Sequence, residues 1–249
     1  MTTVKNIFDF INSFAPFSEQ EEWDNSGFLA GDFRAEVKKC VVSLDCTKEV
    51  AALAEKEGAD LIVTHHPLIF SPVRRLEKGS ALYTAVQSNI AVISAHTNYD
   101  KALGGVNDVL CSVLGLKNTF RASGGCIVIG ELENEITVKA FASEINALLN
   151  CNALRFTDVE KSIKKVAVCG GAGENEYIYE AQRLADAYVT GDMKYHEMLD
   201  AQQAGFPVFS AGHFETEMPA ANALLAKLKS VFTDVEFING SQTNPILGV

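Results

Sequence analysis

Residues 59–66, Ala-Asp-Leu-Ile-Val-Thr-His-His, decide how the rest of the chain reads. Leu61 to Thr64 is a short, continuously apolar run bounded by Gly58 upstream and running straight into His65-His66-Pro67. Such a run predicts a strand covered on both faces. Successive side chains on a strand point to opposite faces, so two adjacent imidazoles serve one site only where the chain leaves the strand. Pro67 favours that departure, because it biases His66 toward extended geometry and ends regular pairing.

Outward from this stretch the same alternation recurs. Upstream, Val4, Ile7, Phe8, Ile11 and Phe14 at helical spacing predict a helix over 3–14, and a polar loop follows that ends in Trp23-Asp24-Asn25-Ser26-Gly27. A strand over 40–45 and a helix over 47–57, stopped by Gly58, come next. Downstream, a helix near 80–89 precedes a strand over 91–95 that ends in His96-Thr97-Asn98-Tyr99-Asp100, and Gly104-Gly105 precedes a helix ending near Gly115. Later strands over 166–169, 187–190, 208–211 and 235–238 alternate with helices over 175–185, 195–204 and about 218–232. Short apolar strands separated by helices predict an α/β fold.

The opening run has a counterpart in Ala185-Asp186-Ala187-Tyr188-Val189-Thr190-Gly191-Asp192, and Val92–His96 aligns with Val208–His213. This predicts an internal duplication: two similar α/β halves, 1–123 and 124–249, each a small sheet with covering helices. Ser123-Gly124-Gly125 suits a boundary or a tight connection. The alternative is chance likeness between short Val/Ile strands.

Composition narrows the function classes. At 249 residues, with 47% hydrophobic and 21% charged residues, the chain is long and apolar enough to bury a core. The expectation is a cytoplasmic protein: no apolar stretch reaches the roughly 20 residues a membrane helix needs, and no leader pattern opens the chain. A net charge of −11 argues against nucleic acid as a partner, which needs basic surface, and leaves room only for a small basic pocket holding a nucleotide. The six cysteines are scattered without a C-x-x-C pair and read as reduced core thiols.

Of the five histidines, His65, His66, His96 and His213 fall just past the ends of expected strands. Ligands of α/β sheets bind at that edge. Asp100, beyond the next strand, and Glu217, near His213, add hard oxygen ligands, so the candidate metal set is His65, His66, Asp100, His213 and Glu217. Mixed imidazole and carboxylate ligands suit Zn, Fe, Mn or Co rather than Ca or Mg. Five ligands do not saturate two divalent ions, and water in the open positions marks a catalytic site. Two ions about 3.5–4 Å apart can activate a shared water and clamp a substrate oxygen, which is hydrolytic chemistry. A storage or structural metal pair is the alternative. Glu217, able to bridge, and His96, placed to orient the ligands or else a core histidine, are the catalytic candidates. Pro219 fits only the first turn of a helix, so Glu217 is expected at a helix start, with no shared face assumed for His213. Asp192 and His196 align with the His65-His66 stretch; they line the same cleft or begin a solvated helix. Asp45, Glu22 and Asp24 face the site or serve as caps and turns. Gly170-Gly171-Ala172-Gly173 follows a strand and opens a helix, where phosphates bind, but lacks the dinucleotide or Walker spacing.

Thr64-His65-His66-Pro67-Leu68-Ile69-Phe70, the His96–Asp100 segment with Gly104-Gly105-Val106-Asn107, Thr190-Gly191-Asp192 with His196, Gly212-His213-Phe214 with Glu217, and Trp23–Gly27 resemble, in order over about residues 5–240, the dinuclear metal-centre proteins called GTP cyclohydrolase I type 2 homologs. The resemblance implies two similar α/β halves with the metal pair between them, and a ring-shaped homohexamer of dimers. It implies that His66 and Asp100 bind one ion, His65 and His213 the other, and that Glu217 bridges both. Tyr99 stands where Leu is more usual, and the chain is too short for the extra inserted domain of some members. The activity implied is hydrolytic opening of the GTP imidazole ring with release of formate. A small-molecule substrate, with nucleotides the first class to test, is the expected partner; a non-enzymatic metal-binding or metal-delivery protein, or an oligomeric adaptor, is the competing expectation.

Overall fold

The computed structural model describes residues 1–173 and 175–248. The chain runs through α1 (Val4–Phe14), β1 (Gly27–Ala30), β2 (Lys39–Ser43), α2 (Lys48–Glu57), β3 (Leu61–Thr64), α3 (Ala81–Gln87), β4 (Ala91–Ser94) and α4 (Thr97–Lys101). It continues through α5 (Val106–Val113), β5 (Lys117–Ala122), β6 (Ile127–Thr137), α6 (Val138–Leu149), β7 (Arg155–Phe156), β8 (Ser162–Ala172), α7 (Asn175–Leu184), β9 (Ala187–Asp192), α8 (Tyr195–Gln203) and β10 (Val208–Ser210). Helix α9 (His213–Val231) and strand β11 (Glu236–Asn239) close it. Local chemistry explains the boundaries. The Thr47 side chain caps α2 by accepting from the Val50 amide, and Gly58, at φ 64°, ends it in the left-handed region.

Two compact units result, Met1–Leu103 with Ala220–Thr243 and Gly104–Pro219 with Asn244–Val249. The first holds a five-stranded sheet in the order β1-β4-β3-β2-β11, with β2, β3, β4 and β11 parallel and β1 antiparallel at the edge. One face packs Val41, Ile62 and Val92 against Val50 and Ala54 of α2 and Ala85 of α3. Cys40, Val42, Leu61, Val63 and Ile93 are buried as well, so both faces are covered and the strands carry no polar alternation.

The second unit holds six strands in the order β5-β6-β8-β9-β10-β7, with β8, β9 and β10 parallel. Val128, Val166, Val168, Val189 and Phe209 face α5 and α6 through Leu110, Phe141 and Ile145. Their neighbours Ile129, Ala167, Tyr188 and Val208 face α7 and α8 through Ile178, Ala181 and Ala201. Period-two burial on a sheet clothed on both sides is the pattern expected of an α/β layer.

The aligned stretches occupy matching places. In each unit three consecutive parallel strands are joined through helices. Asp60 Oδ2 accepts the amides of Lys38 and Lys39 at 2.7 and 3.0 Å, and Asp186 Oδ2 accepts those of Lys164 and Lys165 at 3.1 and 2.9 Å. The Ala95 amide donates to Thr64 at 2.9 Å and the Ala211 amide to Thr190 at 2.8 Å. The two halves are thus similar α/β units, but their compact bodies differ from the division at residue 123. Ser123–Gly125 is the tight connection between the antiparallel strands β5 and β6. Helix α5 packs on β8, and the last strand, β11, returns to pair with β2. Among the described residues no helix is long and apolar enough to cross a membrane.

Candidate metal centre

In the first unit β2, β3 and β4 end at Ser43, Thr64 and Ser94, and the residues just beyond them are Asp45, His65-His66 and His96. Because β3 stops at Thr64, both following rings turn to one place, with centroids 4.9 Å apart. The amides of His65 and His66 donate to the Leu44 carbonyl at 3.1 and 2.9 Å, and the Thr64 hydroxyl donates to the His66 carbonyl at 2.8 Å. His96 brings its ring within 5.2 Å of His65 and 5.5 Å of His66. One nitrogen from each of the three lies within 4.8 Å of the others. Asp100, on α4, has Oδ1 3.6 Å from His65 Nε2.

Each of these imidazoles is held by Nδ1. That of His65 donates to the Ala95 carbonyl at 2.8 Å. A carbonyl only accepts, so Nδ1 carries the proton and Nε2 keeps a lone pair. The Nδ1 of His66 lies 2.8 Å from Asp45 Oδ1. Asp45 is itself clamped by Gln242, whose Nε2 donates to Asp45 Oδ2 at 2.5 Å and whose Oε1 accepts the Asp45 amide at 2.8 Å. The Nδ1 of His96 lies 2.8 Å from Asp24 Oδ1. The other Asp24 oxygen accepts from the Ser26 hydroxyl at 2.8 Å and from the Thr97 hydroxyl and amide at 2.5 and 3.1 Å. Burial pushes the Asp24 carboxyl up, but these bonds and the His96 ring outweigh it and hold the carboxyl well below the usual range.

In the second unit His213 and Glu217 share one face of α9, with Nε2 3.1 Å from Oε2 at i,i+4 spacing. This corrects the expectation from Pro219: the helix begins at His213 and carries the proline inside it. Proline removes a single backbone donor, and the helix continues on the bonds at either side. The His213 Nδ1 lies 2.8 Å from Asp192 Oδ2, repeating in this unit the carboxylate that Asp45 supplies to His66. Glu217 is 4% exposed. Its carboxylate lies against Gly171, at φ 66°, where a Cβ would fall 2.0 Å from Oε1 and 3.2 Å from His213 Nε2. Gly170 and Gly171 belong to β8, where Gly170 gives room to Val106 and Gly171 to Glu217.

Asp192 therefore joins the candidate site and His196 does not; the latter is exposed, edge-on to Tyr195 at 5.3 Å. Glu22 is exposed, whereas the Asp24 side chain has no exposed surface. Gln242 and the Ala95 carbonyl went unseen in the sequence, and Gly171 was read there only as part of a glycine run. Nothing local marks them, since Gln242 meets Asp45 from 197 residues away. Imidazoles pinned through Nδ1 beside carboxylates could hold a divalent metal ion, whose histidine ligands are commonly oriented in this way.

The sequence pattern of the Duf34/NIF3 (NGG1p interacting factor 3) family matches residues 2–245. The GTP cyclohydrolase 1 type 2 homolog of Clostridium perfringens is 34% identical over 94% of this chain and 95% of its own. The GTP cyclohydrolase 1 type 2 of Helicobacter pylori is 32% identical over 87% of this chain and 88% of its own. The crystal structure of the Staphylococcus aureus hypothetical protein SA1388 superposes with a TM-score of 0.93 at 29% identity, covering 99% of both chains. On the sequence pattern, the relatives and the fold together, the chain belongs to the Duf34/NIF3 family.

Proposed function

We propose that the chain is a metal-dependent hydrolase whose substrate is a purine nucleotide, with GTP ring opening and formate release as the reaction to test first. The observation that carries this reading is the set of imidazoles pinned through Nδ1 by Ala95, Asp45 and Asp192, with Nε2 of His65 turned toward Asp100 and Nε2 of His213 toward Glu217. If metal is bound, His65, His66, Asp100, His213 and Glu217 would be its ligands. Such ions, when bound, act as Lewis acids toward water and a substrate oxygen. The chain's own residues do the rest. Asp45 and Asp192 fix the imidazole rings, buried Glu217 supplies negative charge against the ions, and His96, held by Asp24, presents Nε2 to hydrogen-bond substrate or carry a proton. The names of the Clostridium and Helicobacter relatives support the choice of GTP.

The test is metal content by mass spectrometry and formate release from GTP, after loading with Zn, Mn or Fe(II), for the native chain, His66→Ala and Glu217→Ala. Two ions per chain and metal-dependent formate are expected, with both reduced in the variants. A native chain that retains no metal overturns the reading. Metal without formate, on GTP or a wider nucleotide panel, leaves the metal site and removes the hydrolase. A second reading, metal delivery or an adaptor role, draws on the family's description as an interacting factor. It predicts exchange of bound metal, or capture of a partner, without turnover.

A further inference from the structure

Trp23 and Phe70 are left 55% and 54% exposed, although they are large apolar side chains. They stand side by side, ring centroids 5.9 Å apart and tilted by 52°, so each keeps a face turned away from the other. Both border His96, edge-on at 6.0 and 6.4 Å. Single exposed aromatics are ordinary. Here, though, the backbone beneath them is pinned. Asp24, next to Trp23, is tied to His96, Thr97 and Ser26, and the Asn25 side-chain amide donates to the Ile69 carbonyl at 2.6 Å. That last bond joins the segment bearing Trp23 to the one bearing Phe70. The scaffold is fixed by polar contacts while the rings it carries face solvent, the reverse of core aromatics.

Residues 71–79 beyond Phe70 form no regular structure and are exposed throughout. They carry Arg74, Arg75 and Lys78 against one acid, Glu77, in a chain of net charge −11. A pair of exposed aromatic rings beside a cationic loop matches a ligand that is aromatic at one end and anionic at the other. We infer that Trp23 and Phe70 stack the base of a nucleotide beside His96, and that Arg74 and Arg75 take its phosphates. Stacking uses the π-face that every base has, and guanidinium suits phosphate oxygens. The inference deepens the proposed function, and it rests on that reading only for what happens to the base once held.

Trp23 is the single tryptophan, so intrinsic tryptophan emission reports on this platform alone. The chain as purified is titrated with guanosine, GTP and inorganic tripolyphosphate, with metal content measured alongside. Saturable quenching by guanosine and GTP, and none by tripolyphosphate, is expected. Phe70→Ala should weaken guanosine binding about tenfold with metal content unchanged. Arg74→Ala with Arg75→Ala should remove the advantage of GTP over guanosine, an advantage that falls with salt. No saturable quenching by either base-bearing ligand, or equal quenching in Phe70→Ala, overturns the inference. So does a blue shift that follows protein concentration, which would assign the rings to an interface between copies. Quenching without metal-dependent turnover keeps the platform and removes the hydrolase; turnover without Trp23 quenching does the opposite.

Discussion

Asp24 shows how one carboxylate can organise a site without being a ligand candidate. Its side chain is sealed from solvent and accepts hydrogen bonds from Ser26 and Thr97 while facing the His96 ring. Asp24→Asn replaces an anion that those donors need, and is expected to cost about 1–3 kcal/mol of stability. The sign of its pH dependence follows from its lowered pKa. A carboxyl that titrates lower in the folded state stabilises above its unfolded value of about 3.9, and loses that contribution as pH falls through the folded value. The gap between native chain and Asp24→Asn should therefore be full near neutral pH and shrink below about pH 4. Urea unfolding across that range measures it, and a gap that widens in acid would contradict the assignment. The histidines past the strand ends were legible because their signal is local. Their carboxylate partners were legible only as candidates that could equally be caps or turns, because Asp24 lies 72 residues from His96 and Asp45 lies 21 from His66.

Between elements, the close approach of β8 to the first turns of α9 sets where Glu217 sits. A glycine run after a strand reads equally as a phosphate loop or as a backbone making room, and only the helix lying against it separates the two. Gly171→Ala places a methyl group where the Glu217 carboxylate now lies, at a backbone angle that favours glycine. The expected result is metal content reduced toward that of Glu217→Ala, with a stability loss of about 1 kcal/mol or more from the left-handed backbone. Metal analysis and thermal unfolding check the two separately, and an alanine variant with native metal content would show that Glu217 does not depend on this contact. Pro219 teaches the same lesson about elements. Read locally it starts a helix; in place it is one missing donor inside a helix that holds His213 and Glu217 on a common face.

Across the chain as a whole, none of the six cysteines is joined in a disulfide. Burial, with Asp45 nearby, pushes the Cys46 thiol up to about 12, and burial with Asp108 nearby does the same for Cys111. Burial, with Glu215 nearby, pushes Cys151 up to about 11. Since the thiolate is the nucleophile, alkylation of these three in the folded chain at about pH 8 should run at least about a hundredfold slower than in denaturant. Mass spectrometry of iodoacetamide-treated protein reads this, and rapid labelling of Cys46 or Cys151 in the folded state would refute it. The α/β class, most element positions, the duplication and the histidines at the strand ends were all present in the linear order of residues, because periodicity, caps and strand-end placement act over a few residues. What folding alone settled is which distant groups meet. Strand β11 returns to β2, helix α5 packs with the second sheet, Gln242 clamps Asp45 beside His66, and Asp192 and Gly171 meet His213 and Glu217. Those contacts form between residues tens to hundreds of positions apart, where no local pattern of side chains records which partner the packed chain will bring.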